Sequence, residues 1–169
     1  MNNKPKIDPS SYRVRLEKDY LVFSAAHFIT FNGDICERLH GHNYRVEAEV
    51  EGPLDENHYV IDFIALRDLL QEILAEWDHR MLLPTRHPEI RVTSDERETT
   101  ATFRDRRWVF PSGDCALIDI PNTTAEKLAE VIAQRVHDGI CARHLPAPQV
   151  VRVGVDENHG QWGIATLTF

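Results

Sequence analysis

The chain has 169 residues, of which 42% are apolar and 27% charged, as expected for one folded domain with a buried core. Its formal net charge of -8 argues against nucleic acid as a main partner, because binding to a phosphate backbone needs clustered Lys and Arg. The sequence has neither a signal peptide's apolar segment nor the roughly 18 consecutive apolar residues that span a bilayer, so we expect a cytoplasmic protein without a membrane partner.

The first element is predicted over residues 12–26, where β-branched and aromatic residues begin by alternating with polar ones. A long irregular segment follows, and alternation returns over residues 42–50. These segments predict an antiparallel strand pair joined by a functional loop. Residues 1–10 are predicted to form a loose tail on a single domain that covers residues 1–169.

Two helices come next. Asp62 is a suitable N-cap for a helix whose apolar residues recur every three or four positions as far as Trp77. The pattern Thr123-x-x-Glu126 predicts a capping box at the start of the second helix, which we expect to end at Gly139.

The 43 residues between His79 and Thr123 are too many for an ordinary connection between helices, so an insert at about 84–118 should have structure of its own. Residues 99–103 and 107–110 predict an accessory β-hairpin there. Two further strands, 150–157 and 162–169, are predicted around a turn at Asn158-His159-Gly160. The core order is therefore strand, strand, helix, helix, strand, strand.

The clearest chemical signal is His40-Gly41-His42. Residues two apart on an extended backbone project to the same face, so both imidazoles can reach one metal ion. His27, at the end of the preceding strand, can supply a third ligand across an antiparallel pair, and three ligands with one open position are typical of catalytic zinc. The alternative is that these are separate surface or core histidines.

Cys36 lies four residues before His40, and a neighbouring cation would lower the pKa of its thiol and favour a thiolate base. The three cysteines of the chain are far apart and odd in number, which favours free thiols over disulfides. Cys36 can alternatively be a fourth ligand in a closed structural zinc site. Asp78-His79 can form an acid/base pair or simply cap a helix end.

These motifs occur in an order that resembles the family of 6-pyruvoyltetrahydropterin and 6-carboxytetrahydropterin synthases. The resemblance covers nearly the whole chain apart from the tail and the insert. It rests on Phe23-Ser-Ala-Ala-His27, Cys36-x3-His40-Gly-His42-Asn-Tyr, Val60-Ile-Asp-Phe63, Asp78-His79, Thr124-Ala-Glu126 and Val155-Asp-Glu157. It implies a tunnelling (T-fold) α+β domain with a four-stranded antiparallel sheet and two helices on one face, in the order ββααββ, plus the inserted hairpin.

The resemblance also implies roles for individual residues. His27, His40 and His42 would hold Zn²⁺, Cys36 would abstract a proton, and Asp78 with His79 would complete the relay. Glu157 would anchor the pterin through two hydrogen bonds, although it can also be an ordinary turn residue. Thr124 and Glu126 match further substrate contacts, although capping would also explain Glu126.

The substrate implied is 7,8-dihydroneopterin triphosphate, and family members are homohexamers whose active sites lie between subunits. The spacing Cys-x3-His-Gly-His resembles members that make 6-carboxytetrahydropterin for queuosine rather than the 6-pyruvoyl product. A non-catalytic pterin-binding protein with structural zinc is the alternative from another class, and hydrolysis by a metal-bound water ranks last because no general-base Glu is evident beside the histidines.

Overall fold

The computed structural model describes residues 12–32 and 35–169, so the predicted loose tail at 1–10 lies outside the described residues. The strands are β1 (Arg13–His27), β2 (Thr30–Phe31), β3 (Ile35–Cys36), β4 (His40–Glu51), β5 (Arg80–Pro84), β6 (Arg91–Ser94), β7 (Glu98–Phe103), β8 (Arg106–Pro111), β9 (Cys115–Ile118), β10 (Val150–Asp156) and β11 (Trp162–Thr168). The helices are α1 (Phe63–Ala75) and α2 (Ala125–Ala142), and a 3-10 turn covers Ser112–Asp114.

The main sheet has the strand order β11-β10-β4-β1-β5-β9. Its first four strands are antiparallel, as predicted, whereas β5 runs parallel to β1 and β9 runs parallel to β5. The expected four-stranded sheet is therefore extended to six strands. Both additional strands are short apolar runs buried at nearly every position, and such strands show no alternation by which sequence could identify them.

Both helices pack against the sheet in one hydrophobic core, so the predicted α+β class is confirmed. Helix α1 begins where the Asp62 carboxylate accepts a hydrogen bond from the Ile64 amide at 2.8 Å, and it buries Leu66, Leu70 and Ile73 against the core. Strands β1, β4 and β10 contribute alternate residues to the same core.

Gly139 does not end the second helix, as the sequence predicted, because α2 continues to Ala142. A Cβ atom at Gly139 would lie 2.5 Å from Leu69 Cδ1 of α1. The glycine therefore allows the two helices to approach each other, and its position inside the helix is explained by packing rather than by termination.

The N-cap of α2 is also displaced by one residue from the prediction. Thr124 is the N-cap, and its hydroxyl accepts from the Lys127 amide at 3.4 Å. Thr123 is fully buried, and its hydroxyl donates to the carbonyl of Phe28 at 3.3 Å. The predicted capping box is wrong because tertiary contacts occupy the first threonine.

The insert is a three-stranded antiparallel sheet, β6-β7-β8, in place of the predicted two-stranded hairpin. It has a second small core, formed by Phe28, Met81, Leu83, Ile90, Ala101, Phe103 and Cys115. Phe28 directly follows His27, so this core reaches the end of β1. Among the described residues, none of the helices combines the length and apolar character needed to cross a membrane.

Candidate metal centre

Strand pairing brings the three predicted histidines together. In the antiparallel register of β1 and β4, His27 lies opposite His40, and Ala25 lies opposite His42. One potential ligand atom from each of the three histidines lies within 4.8 Å of the other two. Within the described part of the chain this group contains the three imidazoles and not Cys36, so the alternative of Cys36 as a fourth ligand receives no support from the geometry.

Gly41 permits the close approach that this arrangement needs. A Cβ atom at this position would lie 3.1 Å from the carbonyl oxygen of Ala25 on the neighbouring strand. The absence of a side chain at the glycine between the two histidines therefore allows β4 to lie close to β1.

Backbone carbonyls orient two of the imidazoles. His27 Nδ1 lies 2.9 Å from the carbonyl oxygen of Thr123, and His40 Nδ1 lies 2.8 Å from that of Arg38. A carbonyl can only accept, so each Nδ1 carries the proton and donates it. The Nε2 lone pair of each ring is then available to a metal ion, and such carbonyl contacts are the usual support of metal-binding histidines.

The buried environment of His27 keeps its ring neutral. The pKa of His27 is lowered from 6.5 to about 4, chiefly by burial; the bond to the Thr123 carbonyl opposes this shift, and the neighbouring imidazoles of His40 and His42 contribute to it. Its Nε2 is buried and makes no hydrogen bond to any of the described residues. An unpaired lone pair beside two further imidazoles fits a divalent metal ion.

Cys36 is partly buried at the end of β3, where its thiol lies 3.6 Å from the carbonyl oxygen of Glu37. Burial raises the pKa of the Cys36 thiol, the positive charge of Arg106 opposes this rise, and Glu37 adds to it. Burial thus outweighs the nearby positive charge, and the pKa of the Cys36 thiol is not lowered as the sequence predicted. Glu37 was not predicted to matter, yet its carboxylate lies 3.8 Å from His40 Nε2.

Asp78 and His79 form the predicted pair, with Asp78 Oδ2 2.9 Å from His79 Nδ1. The other carboxylate oxygen of Asp78 accepts from the Ser24 amide at 2.8 Å, and this bond is the main reason why the pKa of Asp78 is lowered. His79 is exposed and has a positive φ of 59°. Among the hydrogen bonds and ion pairs of the described residues, none links this pair to Cys36 in the same chain.

The three predicted substrate residues line one cavity of about 460 Å³. Thr124 and Glu126 come from the start of α2, and Glu157 comes from the β10–β11 turn. The Glu157 carboxylate also lies 3.3 Å from His27 Nε2 and 3.8 Å from His42 Nε2. Glu157 therefore connects the cavity to the histidine group.

The turn that carries Glu157 is fixed by Asp156, which is buried and whose carboxylate accepts from the amides of Gly160 and Gln161, both at 2.9 Å. Tyr44 is fully buried with its ring centroid 5.8 Å from that of His27 and 5.5 Å from that of His42, and its hydroxyl makes no hydrogen bond to any described residue. Burial raises the pKa of Tyr44, and the charge of Glu157 raises it further. Sequence reasoning missed both residues, although Tyr44 lies two positions after His42 on the same strand face.

Comparison with known proteins gives a consistent result. The family described as 6-pyruvoyl tetrahydropterin synthase matches residues 16–166. A Methanocaldococcus jannaschii protein assigned as a 6-carboxy-5,6,7,8-tetrahydropterin synthase is 30% identical over 142 residues, which cover 83% of this chain and 86% of the relative. A Pyrococcus furiosus dihydroneopterin monophosphate aldolase is 38% identical over 60 residues, or 36% of this chain and 50% of the relative.

A solved structure is similar over nearly its whole length. The 6-pyruvoyl tetrahydropterin synthase of Plasmodium vivax superposes with a TM-score of 0.85 and 27% identity, covering 94% of this chain and 98% of the other. The agreement therefore extends from the sequence motifs to the arrangement of helices and strands.

Proposed function

The chain belongs to the 6-pyruvoyl tetrahydropterin synthase family and is a lyase, and we propose that it converts 7,8-dihydroneopterin triphosphate to 6-carboxy-5,6,7,8-tetrahydropterin with the help of zinc. The observation that carries the proposal is the group formed by His27, His40 and His42 beside a cavity lined by Glu157.

The proposed metal is Zn²⁺, because three imidazoles form a typical catalytic zinc set with one position left for substrate. The carbonyls of Thr123 and Arg38 accept from Nδ1 of two of the rings, which leaves Nε2 of those rings to bind the metal, and the burial of His27 keeps its ring neutral. When bound, the metal ion would act as a Lewis acid toward the oxygens of the substrate side chain.

The pterin is proposed to bind in the cavity formed by Thr124, Glu126 and Glu157. A carboxylate at Glu157 can accept two hydrogen bonds from the 2-amino group and N3–H of a pterin. Asp156 fixes the turn that carries Glu157, and the Glu157 carboxylate lies 3.3 Å from His27 Nε2. A pterin bound to Glu157 would therefore present its side chain to the three histidines.

Cys36 is proposed as the base that removes a proton from a side-chain carbon, and Asp78 with His79 as the pair that moves a second proton. Triphosphate then leaves, the two outer side-chain carbons are released as acetaldehyde, and water supplies the additional oxygen of the carboxyl group. Asp78 fixes the His79 ring at 2.9 Å and is itself fixed by the Ser24 amide. Since no hydrogen bond or ion pair among the described residues links this pair to Cys36 in its own chain, we propose that it serves a neighbouring subunit in a homohexamer.

The test combines product analysis with metal analysis. Purified protein incubated with the substrate should yield 6-carboxytetrahydropterin, and exclusive formation of the 6-pyruvoyl compound would contradict the proposed product. Cys36→Ala should retain about one zinc per chain and lose turnover. If the variant instead loses its metal and its stability, the zinc is structural and the proposal fails.

Glu37 favours a second candidate reaction, aldol cleavage that leaves a 6-hydroxymethyl group on the pterin and releases the two outer side-chain carbons as phosphorylated glycolaldehyde. Its carboxylate lies 3.8 Å from a metal-ligand nitrogen, and it can accept the proton of a side-chain hydroxyl. Aldol cleavage is the reaction class for which the Pyrococcus furiosus relative is named. If this candidate is correct, Glu37→Gln should abolish the 6-hydroxymethyl product and leave formation of the 6-carboxy product unchanged. A variant that still makes the 6-hydroxymethyl product and loses the 6-carboxy product would exclude the candidate.

A further inference from the structure

Few backbone contacts join the described residues of the loop that carries Cys36. Strands β2 and β3 form two residue pairs, Thr30 with Cys36 and Phe31 with Ile35, and the Glu37 amide donates to the Ile29 carbonyl at 2.9 Å. A two-stranded ribbon of this size is not stable in isolation. Contacts from outside the loop must therefore set the position of the Cys36 thiol.

One such contact comes from the inserted sheet. Arg106, the first residue of β8, donates from Nη1 to the carbonyl oxygen of Cys36 at 2.6 Å. The guanidinium carbon of Arg106 lies 4.7 Å from the ring centroid of Trp108, so the arginine is itself held in place. Arg106 thus links a rigid strand to the backbone of the proposed base.

The insert contacts the chain just before the Cys36 loop at two more positions, Phe28 and Thr30. Trp108 stacks on Phe28 with the ring centroids 4.4 Å apart, and Phe28 directly follows the metal ligand His27. His87 Nδ1 accepts from the Ile90 amide at 2.8 Å, so its proton lies on Nε2, which donates to Thr30 Oγ1 at 2.7 Å. Burial lowers the pKa of His87, which favours this neutral form.

We propose that Arg106 is a positioning residue for Cys36, and that the inserted sheet supports the loop between the metal ligands. This inference rests on the proposed role of Cys36 as the base. The positive charge of Arg106 also opposes the rise in the thiol pKa that burial causes, so the contact favours the thiolate as well as its position.

The test compares Arg106→Gln with Arg106→Lys and with Arg107→Gln, in which the neighbouring exposed arginine is changed as a matched control. We expect Arg106→Gln to lower kcat on the order of tenfold to a hundredfold with KM and zinc content unchanged, because a displacement near 1 Å has such effects on rate. Arg106→Lys should recover part of the loss, and Arg107→Gln should behave as the unmodified protein.

A second measurement does not depend on turnover. The rate at which iodoacetamide alkylates Cys36 in the zinc-loaded protein is compared with the rate at Cys141, an exposed cysteine on α2, by mass spectrometry. Arg106→Gln should slow the reaction of Cys36 several-fold relative to Cys141. Unchanged kcat and unchanged alkylation would overturn the inference, and so would a general loss of stability and zinc without a selective effect on Cys36.

The two proposals fail in different ways. If Cys36→Ala keeps full turnover, the proposed base is wrong, whereas the alkylation ratio still reports whether Arg106 positions the loop. If Cys36→Ala is inactive and the ratio is insensitive to Arg106→Gln, the base stands and the positioning role is rejected.

Discussion

Gly163 offers a direct test of how the sheet supports the proposed substrate cavity. This residue lies on β11, where the strand passes under the first turn of α2. A Cβ atom added at Gly163 would lie 2.5 Å from the carbonyl carbon of Ala125 and 2.5 Å from the amide nitrogen of Glu126. Because both neighbours are backbone atoms, rotation of a side chain cannot relieve the contact.

The size of the effect follows from these distances. An ordinary contact of a Cβ atom is 3.4 Å or longer, so Gly163→Ala requires the strand and the helix to separate by about 0.9 Å. Overpacking of this kind costs about 1–3 kcal/mol of the free energy of unfolding. The displaced turn carries Thr124 and Glu126, so we also expect KM for the pterin substrate to rise.

Urea denaturation and steady-state kinetics measure the two effects. Gly113→Ala is the matched control, because its Cβ would meet no atom within 4 Å, and it should leave KM unchanged and stability equal or up to about 1 kcal/mol higher. The reasoning fails if Gly163→Ala is as stable as the unmodified protein and binds substrate equally well.

Two further predictions concern buried polar groups. In protein stripped of metal, the pKa of His27 is 6.5 in the unfolded chain and about 4 in the folded chain. The unfolded chain therefore takes up a proton first as the pH falls, and the free energy of unfolding should decrease by up to about 3 kcal/mol from pH 6.5 to pH 4. Urea titrations should show a smaller pH dependence for His27→Gln. Tyr44→Phe removes a buried hydroxyl without a partner, so denaturation should show the free energy of unfolding raised by about 1 kcal/mol, and a loss of stability would contradict this.

The features that could be predicted from sequence depend on short-range geometry. His40 and His42 share a strand face, and pairing of β4 with β1 places His27 opposite His40. The apolar spacing that predicted α1 and the turn that predicted the β10–β11 hairpin act over a few residues, so no distant partner was needed to identify them.

The features that sequence reasoning missed depend on contacts between distant residues. Strand β5 pairs between β1 and the edge strand β9, and both β5 and β9 are short apolar runs, mostly buried, that show no alternation of apolar and polar residues. The bond from Arg106 to the Cys36 carbonyl joins positions 70 residues apart, and an arginine in a charged run gives no sign of such a partner.

The N-cap of α2 was predicted one residue too early because Thr123 makes tertiary hydrogen bonds instead of capping the helix. The local sequence pattern makes Thr123 a good N-cap, but its hydroxyl donates to the Phe28 carbonyl and its own carbonyl accepts from Nδ1 of His27. Thr124 caps the helix instead, at the edge of the cavity. Since adjacent threonines orient His27 and start the helix that carries Glu126, a shift of this turn should disturb the proposed metal centre and the proposed substrate cavity together.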